Sequence, residues 1–179
     1  EIHWRDWSSD VCSSDLFKIG GLFCRYLACS WNPIVKIGNF LFCHGGISPN
    51  IANKYSIQQI NFIMRDSLYG NAEHLQKPYF NELFLHPNSI LWNRNYSTDQ
   101  PINKEKININ NLMNVLQKYN AKHIVVGHTP QMSGISVRYN KMILCIDTGM
   151  SEAFGSKVSK NERLHFLEIF NEKNEILVH

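Results

Sequence analysis

Leu41-Phe-Cys-His-Gly-Gly-Ile-Ser-Pro49 is the stretch that decides how the rest of this chain is read. The apolar segment before it, Pro33 to Cys43, has the character of a buried strand and stops at His44, followed at once by two glycines. A strand that delivers an imidazole into a glycine loop, where backbone can approach a ligand closely, is a common way to build a metal site. For any single histidine the competing role is structural, as a hydrogen-bonded strand end. A second stretch of the same design shifts the balance. His123-Ile-Val-Val-Gly-His-Thr-Pro130 runs an apolar, β-branched strand into His128, with Gly127 beside it and Pro130 ending regular structure. Two imidazoles at strand ends of one sheet can converge on one cation, and both can be neutral near pH 7, as a metal requires.

Working outward, the chain of 179 residues is long enough for one domain with a real core, or for a large part of a bigger one. With 44% hydrophobic and 18% charged residues it has the composition of a globular protein. A net charge of +3, scattered along the sequence, gives no case for nucleic acid or a membrane surface as partner. No stretch approaches the ~20 apolar residues of a membrane span. The five cysteines include no Cys-x-x-Cys pair, and Cys43 and Cys145 sit inside apolar strands. They read as reduced thiols of a cytoplasm-like compartment.

Residues 5–16 repeat Trp-Ser-Ser-Asp-Val as Cys-Ser-Ser-Asp-Leu, with no period that would bury anything. The segment resembles translated sequencing-adapter sequence, so residues 1–16 are set aside as non-native. The natural chain is then expected to continue upstream, with 17–179 a partial domain. Leu16 to Ser30 reads as a turn and a short helix. Ile34–Ile37 and Phe40–Cys43 form a strand pair around Gly38-Asn39. Ser56-Ile-Gln-Gln59 has the form of a capping box, leading a helix with Ile60, Ile63, Met64 and Leu68 on one face and Gly70 as its stop. Asn71 to Asn88 is irregular. Asn103 to Tyr119 is a second helix with the stripe Ile109, Leu112, Met113 and Leu116. Hairpins are expected over Ile135–Asp147, turning at Asn140-Lys141, and over Arg163–Val178. The whole is an α/β arrangement.

Other motifs carry less. Cys43 would need an arginine after the five intervening residues to act as a phosphatase nucleophile, and Pro49 stands at the end of its loop. Glu82-x-x-x-His86 lacks the His-Glu-x-x-His form of a zinc-protease helix. Gly155-Ser-Lys-Val-Ser-Lys160 reads as a solvated loop. Arg94, delivered by Ile90-Leu-Trp-Asn, could clamp a phosphoryl group bidentately, with a surface ion pair as the alternative. Asp147 in Ile146-Asp-Thr-Gly149 is a strand-end carboxylate that suits a metal's neighbourhood or a turn cap.

Together these residues resemble the C-terminal half of the calcineurin-like metallophosphoesterases, in the phosphoprotein phosphatase branch, and within it the Shewanella-like protein phosphatases. The motifs that carry the resemblance are Phe42-Cys-His-Gly-Gly-Ile-Ser-Pro49, Leu91-Trp-Asn-Arg94, Val125-Val-Gly-His-Thr-Pro-Gln131 and Ile146-Asp-Thr-Gly-Met-Ser151, within a similarity running from Phe17 to about Gly155. The resemblance implies the C-terminal half of an α/β sandwich, with mixed sheets flanked by helices. It implies His44 and His128 as ligands of the second metal in a two-metal centre of manganese, iron or zinc. It also implies Arg94 as the phosphate-binding residue, and hydrolysis of a phosphoprotein or phosphopeptide by a metal-bound hydroxide. It assigns Asp147 no chemical role.

The family's Gly-Asp-x-His-Gly, Gly-Asp-x-x-Asp-Arg-Gly and Gly-Asn-His-Glu motifs are absent from this sequence, and Gly70-Asn-Ala-Glu-His74 only mimics the last. No catalytic residue is therefore assigned, at most a partial metal site is expected, and the polypeptide as written is expected to be inactive. The alternatives are a dinucleoside polyphosphate hydrolase, which also carries a Gly-His-Thr-Pro motif, and a catalytically dead binding or regulatory module.

Overall fold

Five strands make one mixed sheet: β1 (Ile34–Ile37), β2 (Phe40–Cys43), β3 (His123–Val126), β4 (Ser136–Arg138) and β5 (Ile143–Cys145), in the spatial order β1-β2-β3-β5-β4. The structure is a computed structural model and describes residues 16–151, 164–170 and 175–179. The non-native reading of residues 1–16 falls outside the described residues except at Leu16, and the lysines of Gly155–Lys160 lie outside them too.

The three inner strands β2, β3 and β5 are parallel, and β1 and β4 close the edges antiparallel. Parallel neighbours need a long crossover, and here the helices supply it. Between β2 and β3 lie α2 (Pro49–Lys54), α3 (Ile57–Tyr69) and α4 (Ile102–Lys118), all on one face of the sheet. The capping box of α3 is complete: Ser56 Oγ accepts from the Gln59 amide at 3.2 Å and Gln59 Oε1 accepts from the Ser56 amide at 2.8 Å. Gly70 ends that helix with φ of 133°, a conformation that other residues rarely adopt.

Strand alternation sorts side chains to the two faces. Leu41, Ile124, Val126 and Ile143 point into the helical layer against Ile51, Ile60, Leu112 and Val115. Phe40, Val125 and Leu144 point the other way and pack against Leu167, Ile169 and Ile176 of a separate hairpin, β6 (Leu167–Phe170) and β7 (Glu175–Val178). The expected mixed sheet with flanking helices is thus what the chain builds. A short helix, α1 (Leu22–Ser30), packs on α3 and buries only Cys24 and Ala28.

One sequence expectation needs correction. In α4, Leu112 and Leu116 are buried as expected, but Met113 is 54% exposed, and Asn108, Val115 and Tyr119 complete the inner face. Asn108 is the reason: its amide donates to Asn95 O at 2.8 Å and to Tyr139 Oη at 3.2 Å, so a polar residue holds a core-facing position that hydropathy does not count. The apolar run that delivers Arg94 starts in turns, anchored by Ile90 N donating to Leu83 O at 3.1 Å. No helix among the described residues is long and apolar enough to cross a membrane.

Candidate functional site

The register of β2 against β3 pairs Cys43 with Val126, so the chain leaves both strands side by side. Gly127 N donates to His44 O at 2.9 Å, extending the ladder one step beyond the last paired strand residues. His128 then turns sharply, with φ of 62° and Thr129 N donating to Gly127 O at 2.7 Å. A three-residue turn with positive φ at its centre is rare and strained for a residue with a Cβ. It directs the imidazole back across the strand end. His44 Nε2 and His128 Nδ1 come to 3.0 Å, with ring centroids 4.8 Å apart. The two histidines singled out by their strand-end positions are brought together.

The glycines after His44 hold the third element in place. Gly45 N and Gly46 N both donate to Ile90 O, at 2.7 and 3.2 Å. A Cβ on Gly45 would lie 2.9 Å from Asn93 N and 3.0 Å from Ile90 O, so only glycine permits this backbone-to-backbone approach. The docked loop carries Trp92 and Arg94. Trp92 meets His128 edge-on with centroids 5.4 Å apart, and Arg94 Nη1 reaches Thr129 Oγ1 at 3.5 Å, a loose contact that leaves the exposed guanidinium donors for another partner.

Behind these side chains lies a buried polar network that sequence reading had not assigned. Ser97 Oγ donates to Thr129 Oγ1 at 2.7 Å. Gln131 Nε2 donates to Thr129 O at 2.8 Å and Ser97 O at 3.1 Å, and Gln131 Oε1 accepts from Ser136 Oγ at 2.8 Å. This network ties the Arg94 loop to the loop after β3 and to the edge strand β4. Asp147 takes the turn-cap role: its Oδ1 accepts from Gly149 N at 3.0 Å, and its carbonyl accepts from Gln131 N at 2.7 Å.

Burial, first, and then the charge of Arg94 lower the His128 pKa below the ordinary histidine range, while Asp147 pulls weakly the other way. His128 is therefore neutral at neutral pH, the form that can donate a lone pair. Its Nε2 is buried without a hydrogen-bond partner, so a proton placed there frees Nδ1 to face His44. Two nitrogens about 2.0–2.1 Å from a common ion, at about 90–110°, stand roughly 2.9–3.4 Å apart, and the observed 3.0 Å fits that spacing. The pair fits half of a coordination shell. Among the described residues no group of three or more His, Cys, Asp or Glu could hold a metal ion. Cys43, one residue before His44, is no nucleophile, because burial pushes its thiol up to about 12.

Two further side chains surround the pair. A cavity of about 330 Å³ is lined by Trp31, His44, Leu91, Trp92 and His128. Trp31 comes from the end of α1, and nothing in its local sequence marked it. The signal that could have flagged it is its place just ahead of the Pro33 strand, which runs antiparallel to the strand carrying His44.

No protein-family profile matches the chain. Over 120 residues it is 38% identical to Shewanella-like protein phosphatase 1 of Plasmodium berghei (strain Anka), a match covering 66% of this chain and 32% of that relative. Uncharacterized protein R398 of Acanthamoeba polyphaga mimivirus is 28% identical over 190 aligned positions, covering 93% of this chain and 75% of its own length. Among solved structures, a cold-active protein tyrosine phosphatase superposes with a TM-score of 0.55 at 28% identity, over 66% of this chain and 33% of that one. A second structure, the cold-active protein-tyrosine phosphatase of a psychrophile Shewanella sp., gives a TM-score of 0.54 at 28% identity, over 66% and 34%. The chain thus spans about a third of the length of the Plasmodium relative and of these solved structures. In both sequence and fold, about two thirds of this chain is related to the Shewanella-like protein phosphatases.

Proposed function

We propose that this chain is the histidine- and arginine-bearing part of a metal-dependent phosphomonoesterase that acts on phosphoproteins. The observation that carries the reading is the 3.0 Å approach of His44 Nε2 to His128 Nδ1 at the ends of two parallel strands, beside the Arg94 loop. The names of the relatives, protein phosphatase and protein tyrosine phosphatase, support a phosphoprotein substrate.

In this reading His44 and His128 hold one cation of a two-metal centre, and Arg94 binds the substrate phosphate with donors that Thr129 leaves free. A bound divalent cation supplies Lewis-acid stabilisation of charge on the phosphoryl oxygens. The chain's own residues do the positioning. The His128 turn fixes the ring, Gly45 and Gly46 fix the loop, and Gln131 locks the Arg94 loop to the sheet. Two imidazoles do not complete a dinuclear site, so the chain as written turns over little or no phosphoester by itself.

Calorimetric titration with manganese and with zinc tests the metal assignment. Binding that His44→Ala and His128→Ala each weaken at least tenfold supports it, and binding unaffected by both changes overturns it. A phosphopeptide assay with manganese tests the inactivity, and robust turnover that His44→Ala abolishes would refute it.

A further inference from the structure

We infer that an asparagine-lined cavity adjoining Arg94 holds the main chain of the substrate polypeptide beside its phosphorylated residue, whatever the neighbouring side chains. This rests on the phosphomonoesterase reading above and adds a peptide-binding subsite to it.

The cavity has a volume of about 450 Å³, and seven of the fourteen residues that line it are asparagines. Each carboxamide offers both donors and an acceptor, the partners that a peptide bond needs. Part of this lining is ordered in advance. Asn95 Nδ2 donates to Asn88 Oδ1 at 3.0 Å, Asn95 N donates to Asn93 Oδ1 at 2.9 Å, and Asn108 Nδ2 donates to Asn95 O at 2.8 Å. Side chains held this way lose little further freedom when a ligand arrives. Asn93 points most directly to a ligand. It is fully buried, it lines the cavity, and its Nδ2 has no hydrogen-bond partner. A buried donor left over is costly, and an incoming carbonyl oxygen supplies the acceptor that it lacks. Asn81 and Asn111 also line the cavity, and neither side chain makes a hydrogen bond among the described residues.

Little in this lining selects a charged side chain. No lysine or arginine is part of it, and its carboxylate, Glu82, is already bonded by Asn50, Lys54 and Tyr55. His86 Nδ1 accepts from Asn88 N at 3.1 Å. The link to the phosphate is spatial. Asn88 and Asn95 also line a second cavity, of about 560 Å³, together with Trp92 and Arg94. The two cavities share that wall, and Asn93, Arg94 and Asn95 are consecutive on the loop docked to Gly45 and Gly46. A phosphate held by Arg94 therefore places the adjoining main chain over Asn95 and Asn88, at the entrance to the asparagine cavity. A glycan also suits carboxamides. The wall shared with Arg94 favours a chain that carries a phosphate and continues past it, and the relatives' names make that chain a polypeptide.

The test is calorimetric binding to the whole chain of four probes. These are a phosphotyrosine capped as acetyl and methylamide, the same residue flanked by two glycines on each side, that pentapeptide without phosphate, and maltotriose. The proteins compared are the unchanged chain, Arg94→Ala, and Asn81→Ala combined with Asn111→Ala, where alanine is the better helix former at 111. The phosphopentapeptide should bind roughly tenfold more tightly than the capped residue. The double asparagine change should remove roughly three- to tenfold of its affinity and leave the capped residue unaffected. N-methylation of the flanking glycines should have the same effect. Equal affinity for the two phosphorylated probes, or a gain that survives both the double change and N-methylation, would overturn the subsite. If the capped residue then still binds in an Arg94-dependent way, the phosphomonoesterase reading stands without it. Maltotriose binding that the double change removes, with no gain from the flanking glycines, would make the cavity a glycan site and overturn the peptide assignment. Unphosphorylated pentapeptide bound as tightly as the phosphorylated one, with Arg94→Ala silent, would keep the peptide subsite and sink the phosphate reading. Binding of none of the probes overturns both.

Discussion

His128 combines two local costs at one position. A β-carbon-bearing residue at φ of 62° in a three-residue turn is strained by about 1 kcal/mol or more, and its buried Nε2 lacks a hydrogen bond. Stability alone would place glycine there. His128→Gly should therefore raise the thermal midpoint by a few degrees while removing metal binding, which differential scanning calorimetry and titration would measure together. A lowered midpoint would mean that the imidazole's packing against His44 and Trp92 outweighs the strain. At this scale the sequence was legible where a residue's type and its strand-end position coincide, as at His44 and His128. It was silent on Trp31, whose partner side chains lie far along the chain. It was equally silent on the role of Gln131, whose side chain bonds Ser97, Thr129 and Ser136, three neighbours that no linear pattern displays.

Among the elements, the irregular stretch from Ala72 to Leu85 matters more than its lack of pattern suggests. It resolves into a 3-10 helix (Ala72–Gln76), a single helical turn (Pro78–Phe80) and a π-helical turn (Asn81–Leu85). Glu82 fastens it to α2: Lys54 Nζ donates to Oε1 at 2.7 Å, and Tyr55 Oη donates to Oε2 at 3.1 Å. The Lys54 hydrogen bond is the main reason that the Glu82 carboxyl titrates below the ordinary glutamate range, against an opposing push from burial. A carboxyl lowered in the folded state contributes stability that is present above its unfolded pKa and is lost as pH falls through the folded one. Thermal midpoints should thus hold steady down to about pH 5 and fall below about pH 4, with Glu82→Gln reducing that fall. An acid limb of equal depth in the variant would show that Glu82 is not its source. α3 was legible because its apolar period and its capping box agree, α4 from its period alone, and the strand pair from the Gly38-Asn39 turn between two apolar runs. The face of α4 was read one position out because Asn108 turns inward.

For the whole molecule, the uneven cover of the sheet is the main feature. One face is filled by helices, whereas on the other, among the described residues, the β6–β7 hairpin packs against Phe40, Val125 and Leu144, and Val35, Ile37 and Ile146 are 38–58% exposed. Leu22 and Tyr26 of α1 are 71% and 68% exposed. Apolar surface of this extent favours association. The chain should self-associate at micromolar concentration, and Leu22→Lys with Tyr26→Lys should shift it toward monomer in light scattering. A monodisperse monomer without those changes would refute this. One consequence of the parallel β2–β3 pairing concerns the order of folding. His44 and His128 are 84 residues apart, and closing a loop of that length costs roughly 4 kcal/mol of chain entropy. That cost is repaid only once the intervening helices have packed, so the two rings meet late on the folding pathway. Trp92, beside His128, is placed to time that final encounter.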